Sequence, residues 1–354
     1  EGEIKLYGNN NIGVDTHNAP LMSIFSEESR YSDGSSYEYS SFVHGLLKTE
    51  IKLFNPLTVL GDQSIGVDIE RELNFADSKI KVNVGTEDPR QAVTSITGVN
   101  GLENSGNITG GNALYTDGSA GIYINMAGNI VDNNVHIYDE INPDNNADIY
   151  TSGTESLQFT LNDYLLNVGS YSRGGAGLRV EDAGDVILGA STDSTTTHEI
   201  NLLAGGKNNV GIYIIGTGSI VTADGLNLNI DGSEQAGVQI GPKGTFYHKN
   251  GNINVNGTDN TGIAAFGGYG ELSGTANINV AAGNFGVYNG GAFYMTGGKI
   301  TVNGKAAVGV YSALYAYTSL SGGTVRAENG GIGLYSDRNS VMNLSQGINL
   351  QAGS

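Results

Sequence analysis

Cysteine and tryptophan are absent from the 354 residues of this chain, proline occurs 5 times, and lysine and arginine together number 17. Without cysteine there is no disulfide framework and no thiolate chemistry. The basic residues are outnumbered by 36 acidic ones, so the net charge is −19. This excludes a nucleic-acid-binding protein, which needs a basic surface to displace the counterions of the phosphates. The charge also disfavours docking on anionic lipid, and no apolar run approaches the ~18 residues needed for membrane insertion.

Glycine and asparagine are abundant instead, with 55 and 39 residues. Ordinary glycine usage is ~7% of residues, which is less than half of the glycine fraction of this chain. Such a bias in composition can indicate disorder. Here, however, isoleucine, valine, leucine and 19 tyrosines recur in short alternating runs, which disordered segments lack. We therefore expect a core that is distributed along the chain. Because the sequence begins at Glu1 without a signal-like stretch, we also expect a segment of a longer protein.

A short unit recurs along the chain. It consists of glycine, an apolar residue, any residue and usually another apolar residue. From Gly211 onward the spacings are 26, 25, 24, 23 and 24 residues, a regularity that chance does not produce. The glycines of the unit are Gly13, Gly66, Gly121, Gly177, Gly211, Gly237, Gly262, Gly286, Gly309 and Gly333.

Each late repeat divides into three short strand-like pieces with period-2 alternation, separated by glycine, asparagine and aspartate. Three strands to a coil without an intervening helix predict an all-β chain that forms a right-handed parallel β-helix. Alternation places Ile212 and Ile214 inside, and Gly211 and Tyr213 outside. The other residues predicted to point inward are Val238, Ile240, Ile253, Val255, Ile263, Ile278, Val280, Val287, Ile300, Val302, Val310 and Ile332.

Two outward columns follow from the same register. The first strands present Tyr123, Tyr213, Tyr288, Tyr311 and Tyr335, and the third strands present a polar column that includes Asn229, Asn254 and Asn279. The tyrosines have two interpretations. They form a surface on which sugars stack, or they cover the bare backbone beside the glycines and stack on the next coil.

The N-terminal coils keep the strands but not the spacing, because the early glycines are 53, 55 and 56 residues apart. We predict a single domain over 1–354, with insertions at about 17–49, 86–112 and 139–173 and regular coils over 175–354. Insertions in repeat proteins form surface loops, often on the binding face.

The Gly-Ile-Tyr-Ile units (Gly121–Ile124 and Gly211–Ile214) and Ser64-Ile65-Gly66-Val67-Asp68 resemble the passenger repeats of fusobacterial type Va autotransporter adhesins, the RadD-like family. The resemblance covers the repeats but not the three insertions. It implies a rod on the bacterial cell surface, anchored by a C-terminal barrel. It also implies attachment to other bacteria and to host glycans or cell-surface receptors, immune-cell receptors among them. Since the repeats are scaffold, no binding residue is carried over.

The first insertion contains the candidate contact residues. Tyrosine among serine and glycine is typical of recognition loops, because tyrosine supplies contact area at little entropic cost. The alternative is a small satellite core that packs the insertion onto the coils. The candidate partner-binding residues are Phe25, Tyr31, Tyr37, Tyr39 and Phe42.

A calcium hypothesis rests on Asp144, Asn146, Asp148 and Glu155, whose oxygens have the spacing of a calcium loop with a terminal glutamate. Ile149 stands where that loop requires glycine, and a solvated turn is the alternative. No cofactor is otherwise expected.

Three functions remain open: an adhesin segment, a spacer segment of the rod, and a β-helical polysaccharide-degrading enzyme of the tailspike or lyase kind. A glycosidase needs paired carboxylates. The tightest acidic group is Glu181, Asp182 and Asp185, and its only near cation is Arg179. The sequence therefore favours a non-enzymatic adhesin.

Overall fold

Parallel pairing of each strand with its equivalent one coil later builds the whole stack, as the repeat predicts. The computed structural model describes residues 4–6, 12–15, 22–30, 36–44, 49–50, 57–60, 63–69, 73–74, 80–86, 116–117, 119–124, 158–161, 163–181, 185–189 and 198–353. These residues contain strands and turns and no helix. The chain is a parallel β-helix.

The first strands of the coils form one ten-stranded parallel sheet. Its register repeats the predicted unit, since Ile212 pairs with Val238, and Val238 pairs with Ile263. The strands are Ile12–Asp15, Ile65–Ile69, Ala120–Ile124, Ala176–Glu181, Val210–Ile215, Ala236–Ile240, Thr261–Ala265, Phe285–Asn289, Val308–Ser312 and Ile332–Ser336.

The second and third strands of the coils form the other parallel sheet. In two coils they merge into one long strand, Ile220–Ile230 and Thr245–Val255, with a register shift around Asp224. The remaining strands of this sheet are Ile4–Leu6, Leu57–Val59, Ile80–Val84, Gln158–Leu161, Tyr164–Val168, Asp185–Leu188, His198–Leu202, Tyr269–Leu272, Asn277–Val280, Ala292–Met295, Lys299–Asn303, Tyr317–Leu320, Gly323–Glu328, Val341–Leu344 and Ile348–Ala352.

Two short parallel pairs and one antiparallel hairpin complete the described strands. Thr49–Glu50 pairs with Leu73–Asn74, and Thr116–Asp117 pairs with Ser172–Arg173. The hairpin joins Met22–Arg30 to Ser36–His44 and lies within the first predicted insertion. The third predicted insertion, 139–173, includes Gln158–Leu161 and Tyr164–Val168, which pair into the stack. Its C-terminal boundary therefore lies earlier than predicted.

The core is one continuous column of inward side chains, and thirteen of the fourteen predicted positions are buried in it. The exception is Ile332, which is 42% exposed. Its partner is Val308, whereas Leu334 pairs with the buried Val310. The prediction was wrong because the inward residue follows Gly333, as Ile212 follows Gly211.

The repeated glycines do not face solvent as the alternation predicts. A Cβ on Gly211 would lie 2.6 Å from the carbonyl oxygen of Gly237 and 3.1 Å from the Cδ1 of Leu228, on the core side. Gly237, Gly262 and Gly286 each meet the next coil's glycine oxygen at 2.6 Å in the same way. Only glycine allows the coils to approach this closely, which explains why the column repeats.

The polar column of the third strands is a ladder of hydrogen-bonded amides. Each asparagine after Asn83 donates from Nδ2 to Oδ1 of the asparagine one coil earlier, at 2.8 to 3.0 Å. Such chains of aligned amides strengthen one another. The ladder runs through Asn83, Asn167, Asn201, Asn229, Asn254 and Asn279.

Candidate functional site

The outward column of the first strands has the predicted register. Tyr213 pairs with Gln239, which pairs with Ala264, and the column continues through Tyr288, Tyr311 and Tyr335. Tyr123 precedes Arg179 in the same register. Aromatic side chains thus accumulate where the coils are most regular.

In the last coils these tyrosines cover one another's faces. The rings of Tyr288 and Tyr311 are 5.2 Å apart at 8°, and those of Tyr311 and Tyr335 are 5.1 Å apart at 5°. Phe285 adds edge contacts to Tyr288 and Tyr311 at 6.1 and 5.7 Å. A sugar needs an open ring face to stack on, and the sandwiched Tyr311 has none. This geometry supports the interpretation of the column as scaffold.

Arg179 joins the same column by a cation–π contact, with its guanidinium carbon 5.4 Å from the centre of the Tyr213 ring. It also forms an ion pair with Glu181 at 2.5 Å. The carboxylate of Glu181 is thus engaged by Arg179, Asp185 begins a strand of the other sheet, and Asp182 lies outside the described residues. Of the predicted acidic group, the structure describes the side chain of Glu181 alone, and that carboxylate is paired with Arg179.

A second set of tyrosines lies on the second strands, where the rings form a column of their own. Tyr247, Tyr269, Tyr294 and Tyr317 follow one another at 5.8, 5.0 and 5.7 Å between ring centres. The Tyr269 hydroxyl donates to Glu271 at 2.8 Å. Partial desolvation, together with this hydrogen bond and the nearby negative charge, raises the pKa of Tyr269 above its usual value.

The turn between first and second strands carries three large exposed apolar side chains. Tyr315 is 77% exposed, Phe266 48% and Leu314 39%. Tyr315 has φ +65°, a left-handed conformation that is unusual for a bulky residue. Lys243 and Asn339 occupy the equivalent position in turns closed by the same type of hydrogen bond.

We call this surface the aromatic corner. It consists of the exposed turn residues and the rings that flank them on both sheets, and Phe266 links the two groups through its contact with Tyr288 at 5.8 Å. Periodicity alone does not indicate the turn residues. The signal that could have found them is Leu314-Tyr315 at a turn where other coils have glycine, lysine or asparagine. The aromatic corner comprises Phe266, Tyr288, Tyr311, Leu314, Tyr315, Tyr317 and Tyr335.

The hairpin register gives the strand partners of four predicted partner-binding residues. Phe25 is opposite Ser41, Tyr37 opposite Ser29 and Tyr39 opposite Glu27, so these three aromatic positions have the same parity. Phe42, opposite Ile24, has the other parity. Tyr31 lies outside the described residues.

The predicted calcium ligands, Asp144, Asn146, Asp148 and Glu155, also lie outside the described residues. Within the described part of the chain no three His, Cys, Asp or Glu side chains are grouped so that they could hold a metal. The same part contains no helix long and apolar enough to span a membrane.

No family model, curated protein or solved structure matches this chain. The aromatic corner is therefore defined by its own geometry: exposed apolar and aromatic side chains on a regular stack of strands.

Proposed function

We propose that this chain is an adhesive segment of an extracellular bacterial rod, the passenger of an autotransporter on the cell surface. It acts by binding and not by catalysis. Its proposed targets are host cell-surface proteins, immune-cell receptors among them, or host glycans, together with other bacteria. The observation that carries the proposal is the aromatic corner, because exposed apolar residues grouped along one edge of the stack mark an interaction surface.

Rigidity supports binding at this corner. Its backbone is held by turn hydrogen bonds such as Ala316 N to Ala313 O at 3.0 Å, and its flanking rings are stacked. A contact surface that is already ordered loses little conformational entropy when it binds. Tyrosine is also enriched in protein interfaces, where its ring and its hydroxyl both contribute.

The half of the chain that carries the aromatic corner also differs in charge from the other half. Residues 1–210 contain 29 acidic and 11 basic residues, whereas residues 211–354 contain 7 and 6. Cell surfaces are mostly anionic, so an acidic segment is repelled on approach. The nearly neutral half meets the least repulsion, and it is the half that carries the aromatic corner.

A protein receptor fits the corner better than a glycan does. Sugars stack on open ring faces, and Tyr311 is covered on both faces by Tyr288 and Tyr335. Phe266 and Leu314 are exposed and have no hydrogen-bonding groups in their side chains, so they match an apolar protein surface. We therefore place a protein receptor first and a glycan second.

Adhesion of beads coated with the chain to host cells and to bacteria tests the proposal. The triple variant Phe266→Ser, Leu314→Ser, Tyr315→Ser should lose most adhesion. The matched control Asn256→Ser, Thr258→Ser, Asn329→Ser changes three exposed residues at other turns and should adhere like the wild type. Treating the target cells with protease or with glycosidase separates a protein receptor from a glycan.

Two further arms separate the alternatives. Replacing residues 20–46 by a short Gly/Ser bridge tests the predicted partner-binding residues of the first insertion. If that variant alone loses adhesion, the contact surface is the hairpin and not the aromatic corner. Release of reducing ends from target glycans would indicate a polysaccharide-degrading enzyme, and no adhesion by the wild type would indicate a spacer.

A further inference from the structure

In the described coils, one inner column of the second strands is apolar at every position except one. Ala223 precedes His248 in the pairing register and Leu272 follows it. The column extends to Met295 and Leu320 on the C-terminal side. His248 is therefore a titratable side chain placed among residues that form the core.

His248 is fully buried, and neither ring nitrogen has a hydrogen-bond partner. Its ring lies 6.1 Å from that of Phe246 at 16°. Several other buried polar groups have partners: Asn289 donates to Thr318 at 2.9 Å, and Thr318 donates to Ser312 at 3.0 Å. Among the described residues, the Tyr164 hydroxyl and Oε1 of Gln235 also have none. An unpartnered buried imidazole is costly, and a charged one much more so.

The charged groups around His248 offer little compensation. On its own strand, Tyr247 and Lys249 alternate to the outer side. On the following coil Tyr269 and Glu271 do the same, and the inward residues of the neighbouring first strands, such as Ile240 and Ile263, are apolar.

Among the described residues, the carboxylate that acts on the imidazole is that of Asp224 in the preceding coil, which accepts a hydrogen bond from Asn250. Burial lowers the pKa of His248 to about 4, and the negative charge of Asp224 offsets only part of this effect.

We propose that His248 makes residues 220–255 an acid-sensitive joint of the rod, which opens when the imidazole takes up a proton while the coils on either side stay folded. Solenoid coils contact only their neighbours, so one pair of coils can open without global unfolding. The register shift at Asp224 and the left-handed backbone of Gly225 and Gly251 lie within the same two coils.

The direction of the pH effect follows from the two states. In the open state the imidazole regains an ordinary pKa of ~6.5, so the open state binds more protons than the closed state between about pH 6.5 and 4. The closed state is therefore fully stable above about pH 6.5 and loses stability as the pH falls toward 4. A pKa lowered from 6.5 to about 4 changes the closed-to-open ratio by up to ~300-fold.

Hydrogen exchange of the full chain, measured by peptide at about pH 7 and about pH 4.5 and corrected for intrinsic exchange, tests the proposal. In the wild type, peptides from 220–230 and 245–255 should lose on the order of 100-fold protection at the lower pH. Peptides from 277–303 should lose much less. The variant His248→Leu has leucine at this position of the column, as the next coil does. In this variant the loss of exchange protection over 220–255 at the lower pH should disappear.

Two controls complete the experiment. His198→Asn removes a half-buried imidazole elsewhere in the stack and should behave like the wild type. His248→Met, which copies Met295 of the same column, replaces the leucine variant if that variant does not fold. Equal acid sensitivity of wild type and His248 variants overturns the proposal, as does uniform loss of protection along the rod. An NMR titration of the His248 imidazole with a midpoint near the ordinary ~6.5 in the folded chain also overturns it.

Discussion

The two halves of this molecule use the same coil in different ways. Over 1–210 the glycine spacing is irregular, acidic residues outnumber basic ones 29 to 11, and an antiparallel hairpin interrupts the parallel stack. Over 211–354 each coil follows the last at nearly constant length, the charges almost balance, and aromatic rings stack from coil to coil. Regular length allows equivalent aromatic side chains to meet from coil to coil, and this contact makes the stacks of rings possible.

This comparison predicts that the regular half depends most on the close approach at the glycine column. A Cβ at Gly286 would lie 2.6 Å from the Gly309 oxygen and 2.9 Å from the Cγ2 of Val280. We expect Gly286→Ala to lower the free energy of unfolding by about 3 kcal/mol, because backbone must move. Gly177→Ala, at 3.0 Å from the Gly211 oxygen, should cost less.

Gly333→Ala is the matched control for this series. Gly333 belongs to the same column, but its nearest neighbour would be the Cγ1 of Val325 at 3.4 Å. The midpoint of urea denaturation of the Gly333→Ala variant should stay close to that of the wild type. A Gly333 variant as unstable as the Gly286 variant would show that local backbone preference, and not the contact between coils, explains the glycines.

A second prediction separates, within the aromatic corner, the stacked rings that support it from the exposed turn residues that are proposed to contact the partner. Tyr311→Gln, which copies Gln239 of the same column, removes two stacked contacts and should cost about 1.5 kcal/mol of stability. Tyr315→Asn, which copies Asn339 of the equivalent turn, should change stability by less than about 0.5 kcal/mol and weaken adhesion. Denaturation and bead adhesion measured on both variants should give opposite rankings, and identical rankings would contradict the distinction.

The third prediction concerns the amide ladder, which crosses both halves from Asn83 to Asn279. Asn254 donates to Asn229 and accepts from Asn279, at 2.8 and 2.9 Å. Asn254→Ala should cost about 1 kcal/mol, because both neighbours lose a partner. Asn279→Ala removes one of these bonds and should cost about half as much in the same urea experiment. Equal losses would mean that the number of ladder hydrogen bonds does not determine the cost.

Much of this fold could be predicted, because period-2 alternation and a fixed glycine spacing together define strands, faces and register. The prediction fails where the neighbouring residues, and not the period-2 alternation, determine whether a side chain faces the core or the solvent. Alternation places Ile332 inward although the residue after Gly333 has that role, and it places the glycines outward although they face the next coil.

The candidate site is harder to predict than the fold. The Tyr311 column follows the sequence repeat, so the repeat predicts it. The exposure of Leu314 and Tyr315 depends on the conformation of a turn, which the repeat spacing does not predict. Alternation with Phe246 is enough to indicate the burial of His248, since both residues have the same parity on one strand. Its lack of a partner cannot be predicted in this way, because it depends on every residue around it.

The last prediction concerns the acidic half and has the smallest effect. Asp144, Asp148 and Glu155 would repel one another if they converged, and a hard divalent cation with oxygen ligands would relieve the repulsion. Because Ile149 stands where a calcium loop has glycine, we expect affinity only in the millimolar range. Calorimetric titration of the whole chain should show calcium binding that Glu155→Gln weakens about tenfold, while Glu199→Gln, a change of equal charge in a strand of the stack, leaves it unchanged. No heat at millimolar calcium, or one curve for all three proteins, would make residues 144–155 a solvated turn and leave the net charge of the N-terminal half without a bound counterion.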